Sequence, residues 1–244
     1  MTQQLAGRTA LVTGGSRGIG AAIVRRLAAD GASVAFTYNS SKDRAEALAG
    51  ELGPRTAALP ADSSDAEALQ AAVTTTVETF GSLDILVNNA GVARFAPLSD
   101  LTLDHFDEMF SVNVRAIFAA VKAADPHLTR GSRIINIGSV NGDVSPFPGL
   151  SIYSASKAAV SGLTRALARD LGPRGITVNN VLPGPVDTDM NPADGPFAGV
   201  ITPLTALGHY AVPDDIATAV AFLASPAAHF VTGSDWTIDG GLTA

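Results

Sequence analysis

The eight residues "TGGSRGIG" at 13 to 20 follow the apolar run "RTALVT" (8 to 13) and lead into a helical pattern. This order of strand, glycine-rich turn and helix decides the fold. The spacing is Gly14-x-x-x-Gly18-x-Gly20 instead of the commoner Gly-x-Gly-x-x-Gly, with the same physics. Gly14 permits a tight turn, Gly18 lets a pyrophosphate approach the backbone, and Gly20 allows the helix to pack closely on the strand, with the helix N-terminus facing the phosphates. A βα turn that binds nothing can share this shape, but three spaced glycines in this context favour a dinucleotide.

Outward from that turn, short β-branched runs alternate with longer helical patterns, as in βαβ units around a parallel sheet. Further strands read as "SVAFTY" (33 to 38), "RTAALP" (55 to 60), "LDILVN" (83 to 88), "SRIINIGS" (132 to 139), "GITVNNVL" (175 to 182) and "DWTI" (235 to 238). Helices are expected at 18 to 30, 42 to 52, 65 to 80, 102 to 124, 152 to 171 and 213 to 225, with Asp65 and Pro213-Asp214 as starts. The expectation is an α/β, single-domain Rossmann-like doubly wound fold with a seven-stranded parallel sheet, spanning 1 to 244. The segment 183 to 212 is dense in Pro and Gly and long for a connection, which marks a substrate-binding lid. It follows strand six, at the carboxyl edge of the sheet where open α/β folds bind ligands.

With 46% hydrophobic residues, the 244-residue chain can fill one sizeable core. A formal net charge of -7 argues against a nucleic-acid or anionic-membrane surface. The absence of cysteine excludes disulfides, thiolate catalysis and Cys-ligated metal. His105, His127, His209 and His229 lack ligand spacing, so no metal is expected. No signal-peptide pattern and no 18-residue apolar run occurs, so the expectation is a cytoplasmic protein.

The end of the second strand bears on the nucleotide. An NAD site places a carboxylate there for the ribose 2′-OH, whereas "FTYNSSK" has none before Asp43. Arg17 can face a 2′-phosphate, and Asn39, Ser40 and Ser41 offer donors, so NADP(H) is favoured. Asn and Ser are also common turn and N-cap residues.

One further stretch carries chemistry. "YSASK" (153 to 157) places one of three tyrosines four residues from one of three lysines on a helix, so phenol and ammonium share a face. Together with "TGGSRGIG", "NNAG" (88 to 91), "SVNV" around Asn113, "INIGS" ending at Ser139, "PGPVDTDM" (183 to 190) and the closing "VTGSDWTIDGG", it makes the chain resemble a short-chain dehydrogenase/reductase from the first strand to the C-terminus. Fourteen positions separate Ser139 from Tyr153, one more than in most members, which should reshape the substrate wall and leave the chemistry intact.

Reduction of a ketone by hydride transfer leaves an alkoxide that needs a proton. An unperturbed phenol is a poor acid-base group at neutral pH. Lys157, helped by the oxidised nicotinamide, is placed to favour the Tyr153 phenolate. Ser139 can hold the substrate oxygen. The resemblance implies that Lys157 also holds the nicotinamide ribose and that Asn113 organises a water path to Lys157. It carries Gly14, Ser16, Arg17, Gly18, Ile19, Tyr38, Asn39 and Ser40 to the cofactor's phosphates and adenosine ribose. Asp62 goes to the adenine region, Asn88, Ala90 and Gly91 to the ribose side, and Val186 and Thr188 to the nicotinamide carboxamide, with Ser63, Pro183, Tyr153 and Lys157 also at the cofactor.

The function expected is an NADP(H)-dependent oxidoreductase interconverting a ketone and a secondary alcohol. No Gly-x-Ser-x-Gly elbow supports a serine hydrolase. A 3-oxoacyl-carrier-protein reductase is an alternative, disfavoured because no Lys or Arg follows Arg174, although Arg94, Arg115, Arg130 and Arg133 remain to meet an acidic carrier. "SVNGD", "GPRGIT" and "PGPVDTDMNPA" most resemble bacterial carbonyl reductases of a subgroup that includes a cyclic-di-GMP-binding protein. A cyclic-di-GMP-binding regulatory role is therefore the alternative of another class. A homotetramer built through the helices at 102 to 124 and 152 to 171 is implied by the resemblance.

Overall fold

The computed structural model describes residues 3–244. Seven strands form one parallel sheet in the order β3-β2-β1-β4-β5-β6-β7. They are β1 (Thr9–Val12), β2 (Ser33–Tyr38), β3 (Thr56–Pro60), β4 (Ile85–Asn88), β5 (Arg133–Ile137), β6 (Thr177–Pro183) and β7 (Asp235–Ile238). Helices α1 (Gly18–Ala29), α2 (Lys42–Leu52), α3 (Ala66–Phe80), α4 (Leu103–Phe110), α5 (Ala116–Ala124), α6 (Ser151–Leu171), α7 (Ala198–Ile201) and α8 (Pro213–Ala224) cover it.

The inner strands are apolar on both faces because both are covered, as parallel sheets require. In β1, Ala10 and Val12 join the core under α1 and α8, where Ile23, Leu27, Ile216 and Val220 pack. Leu11 points the other way, into the core under α3, α5 and α6 with Leu69, Val73, Val121 and Leu167. Edge strand β7 instead alternates exposed and half-buried positions.

The expected starts hold. The Asp65 carboxylate accepts from the Glu67 and Ala68 amides to cap α3. Pro213 opens α8, and Asp215 accepts from the Val212 amide. The chain runs outward from β1 to β3 and then returns to the other side of β1, so the strand order reverses between β1 and β4 and opens a crevice at their carboxyl ends.

One expectation is refined. The helix expected over 102 to 124 is divided into α4 and α5 by a π-helical turn at Ser111–Arg115. One extra residue enters that turn, an insertion that recurs at functional sites, and here it turns Asn113 inward. The segment 183 to 212 contains the single-turn α7. No described helix is long and apolar enough to cross a membrane.

Candidate active site

The crevice is a cleft of about 590 Å³. Its glycine-rich edge is stitched to β4 by Asn89, whose Nδ2 donates to the carbonyls of Thr13 and Gly14, both at 3.0 Å. Gly14 takes φ 66, left-handed backbone that suits glycine, and a Cβ there would meet the Ala90 Cα at 3.0 Å. A Cβ on Gly20 would collide with the Gly14 carbonyl and lie 2.6 Å from Asn89 Nδ2, so α1 can start this close to the turn only with glycine. The amides at the start of α1 are thereby left facing the cleft.

Of the residues expected at the cofactor, Gly14, Ser16, Arg17, Gly18, Ile19, Tyr38, Asn39, Ser40, Asp62, Ser63, Ala90, Gly91, Pro183, Val186 and Thr188 all line the cleft, as do Ser139, Tyr153 and Lys157. Asn88 does not. Its side chain turns into the core, 3% exposed, where Nδ2 donates to Asn136 Oδ1 at 2.8 Å. Successive strand residues face opposite sides, and it is Asn89 that borders the cleft. Asp62 is held below the usual carboxylate range by hydrogen bonds from Ser64, opposed by burial and helped by Asn39.

Ser139 stands two residues beyond β5, and its Oγ accepts from the Asn141 amide at 3.2 Å. Tyr153 and Lys157 project from the first two turns of α6. Lys157 is 6% exposed; its Nζ lies 5.8 Å from the Tyr153 ring centroid and donates to the Ile137 carbonyl at 2.9 Å. Burial pushes the ammonium down to about 8. Burial also pushes the half-buried Tyr153 up, against a lowering hydrogen bond from Ser139. Burial is thus the dominant influence on both groups.

Asn113 lies behind the cleft. Its Oδ1 accepts from the Val92 amide at 2.9 Å, and its Nδ2 donates to Val92 O and to Ser156 Oγ, both at 3.0 Å. A Cβ on Gly91 would be 3.3 Å from Asn113 Oδ1 and 3.7 Å from Lys157 Nζ, so the glycine keeps the space between these two groups open.

The far end of the cleft is aromatic. Phe95 meets the Tyr153 ring edge-on at 5.6 Å and the Phe197 ring at 6.3 Å, and Phe147 lies nearly parallel to Phe197 at 6.3 Å. The sequence reading missed Phe95 and Phe147. They come from separate loops, and no spacing links them. Phe147 belongs to the segment that carries the extra residue, which docks on the loop after β4 where the Ala96 amide donates to Gly149 O at 3.3 Å.

Arg17 and Lys157 supply the cations of the cleft wall. Arg94 faces Glu108 at 3.6 Å, Arg115 donates to the Ser64 carbonyl, Arg130 packs on Gly175, and Arg133 is buried against backbone carbonyls. Among the described residues no group of His, Asp or Glu could hold a metal ion.

The family model described as enoyl-(acyl carrier protein) reductase matches residues 14–243. The cyclic-di-GMP-binding biofilm dispersal mediator protein of Escherichia coli K12 is 50% identical over 234 residues, 96% of each chain. A 3-oxoacyl-[acyl-carrier-protein] reductase of Staphylococcus aureus is 40% identical over 242 residues, 96% of this chain and 98% of its own. A solved short-chain dehydrogenase from Burkholderia cenocepacia in complex with NADP superposes with TM-score 0.97 at 53% identity, covering 99% of this chain and all of the other. With the glycine-rich turn, the Ser139, Tyr153 and Lys157 cluster and these matches along its length, the chain belongs to the short-chain dehydrogenase/reductase family.

Proposed function

We propose that this chain is an NADP(H)-dependent carbonyl reductase that interconverts a ketone and a secondary alcohol, with Tyr153 as the acid/base. The observation that carries the reading is the convergence of Ser139, Tyr153 and Lys157 at the junction of a glycine-edged crevice and an aromatic wall. The crevice suits the cofactor. Gly18 takes φ 52, left-handed backbone that suits glycine, and leaves no side chain between the turn and Thr188 where a backbone-bound pyrophosphate would lie. The end of β2 presents Asn39, Ser40 and Ser41 in place of a carboxylate. The NADP of the Burkholderia relative supports the same choice.

When bound, NADPH supplies the hydride that adds to the carbonyl carbon. Ser139 Oγ hydrogen-bonds the carbonyl oxygen and holds it at Tyr153, whose hydroxyl gives that oxygen its proton. A phenol raised by burial still gives up its proton readily here, because the nascent alkoxide is far more basic. The proton is restored from the side of Lys157 through the space beside Gly91 and Asn113. The segment 183 to 212 acts as a lid, contributing Met190, Phe197 and Ile201 to the substrate end.

The aromatic wall calls for a substrate with an apolar body. Phe197→Ala should raise KM for an apolar ketone about tenfold through lost burial, with kcat within about twofold. Steady-state kinetics would check this, and an unchanged KM would move the substrate elsewhere. For the cofactor, Arg17→Ala should erode the preference for NADPH over NADH, and comparison of kcat/KM with both cofactors tests it. The decisive experiment for the whole reading is turnover of a broad ketone panel with NADPH. No turnover of any ketone would overturn it.

The 3-oxoacyl-carrier-protein reductase reading has the Staphylococcus relative behind it but few free cations to receive an acidic carrier, with Arg94 facing Glu108. The cyclic-di-GMP reading rests on the name of the Escherichia coli relative. Its two phosphates would have to share Arg17 and Lys157 with NADPH, so binding should be weak and competitive. Tight calorimetric binding to NADPH-saturated protein, with no ketone turnover, would favour that reading instead. Exposed Leu103, Phe106 and Phe118 along α4 and α5 support the homotetramer implied by the family.

A further inference from the structure

Three charged side chains from separate parts of the chain meet at the mouth of the cleft. Asp189 Oδ2, in the segment after β6, accepts from Arg44 Nη1 of α2 at 2.7 Å, and Arg17 Nη1 of the glycine-rich turn lies 3.9 Å from the same oxygen. Arg44 is the main reason that Asp189 sits below the usual carboxylate range, with Arg17 adding to it. A single oxygen within reach of two guanidiniums places them where one anion can bridge both.

The cluster contributes little to stability. All three side chains are 58 to 62% exposed, and ion pairs that open to water add little because solvent screens them. Its position is more informative. Asp189 follows Thr188, the residue that faces Gly18 across the channel, and Arg44 lies in the first turn of α2, just past Ser40 and Ser41. Ser41 gives α2 no side-chain cap, so amides of that turn stay free beside the two guanidiniums. A carboxylate brings one negative charge to this place. A phosphate monoester brings nearly two, with three acceptor oxygens, and is the stronger partner for paired guanidiniums.

We propose that Arg44 joins Arg17 in binding the 2′-phosphate of NADP(H), and that Asp189 is the carboxylate this phosphate displaces. The proposal rests on the NADP(H) reading above. NADH, lacking the phosphate, leaves the carboxylate in place. Asp189 therefore costs the phosphorylated cofactor affinity and costs the other little, while Arg44 does the reverse.

The test is fluorescence titration of the full chain with NADPH and with NADH, giving the ratio of the NADH to the NADPH dissociation constant. Asp189→Asn should raise that ratio about threefold, and Arg44→Ala should lower it about threefold, the scale of one exposed charge pair. Asp194→Asn is the control for net charge, since Asp194 is exposed in the same segment and forms none of the ion pairs among the described residues. It should leave the ratio unchanged. An Asp189→Asn ratio that stays or falls, an Arg44→Ala ratio that stays, or an Asp194→Asn effect equal to that of Asp189→Asn would each overturn the displacement. Equal affinity for both cofactors in the parent chain would overturn the NADP(H) reading itself.

Discussion

Replacing Tyr153 with Phe should cut ketone turnover about a thousandfold, in the range that a positioned proton donor supplies, while leaving NADPH affinity within about twofold. Phe keeps the ring that packs edge-on against Phe95 at 5.6 Å and beneath which Lys157 sits. Ser139 keeps its bond from the Asn141 amide. The substitution therefore removes one hydroxyl and little packing, and the melting temperature should barely move. The two readouts separate chemistry from binding: single-turnover kinetics for the first and cofactor titration for the second. A variant that kept a tenth or more of parental turnover would remove Tyr153 from the proton-donor role. One that lost NADPH affinity in parallel would make the hydroxyl a binding group.

The sequence made the sheet legible for a physical reason. An inner strand buried on both faces is an apolar run that ends in a turn, and the less buried edge strands β3 and β7 keep the same spacing between helical patterns, so all seven could be placed within a few residues. The glycine-rich turn and the Tyr153 and Lys157 pair were legible because each depends on local spacing. What stayed hidden depends on contacts between distant segments or on backbone phase. "SVNVR" carries no Pro or Gly, so nothing marked the π-helical turn that delivers Asn113. Asn88 and Asn89 are chemically identical neighbours. Only the register that sets Asn88 opposite Asn136 shows which of them faces the core. Phe95, Phe147 and Phe197 come from three loops, and Arg44 and Asp189 are 145 positions apart, so no periodicity could have paired them. The opposite shifts of the two titratable groups were equally out of reach, because desolvation depends on what surrounds a group and not on its neighbours in sequence.

Lys157→Met should make the protein more stable and catalytically defective at once. The ammonium is 6% exposed, donates only to the Ile137 carbonyl, and faces no carboxylate among the described residues. Two of its three protons have no protein acceptor, and burial lowers it from the ordinary 10.5 to about 8. A lysine lowered in the folded state binds fewer protons there than in the unfolded chain between those two values. Its destabilisation is thus present in full below pH 8 and is relieved as pH rises from about 8 toward 10.5. A shift of that size corresponds to about 3 kcal/mol at neutral pH. Met retains most of the apolar stem but leaves the Ile137 carbonyl without its donor, a loss of about 1 kcal/mol. The net gain of about 2 kcal/mol should raise the melting temperature of the cofactor-free protein by about 6 °C at pH 7. Calorimetry from pH 7 to pH 10 supplies the sharper signature: the margin of Lys157→Met over the parent should shrink toward the alkaline end as the parental lysine loses its charge. If the two melting curves ran parallel across that range, or if the variant melted below the parent at pH 7, the ammonium would be well solvated through the cleft. The cost of keeping it buried would then be absent, and with it the case that this charge persists at Tyr153 for catalysis and against stability.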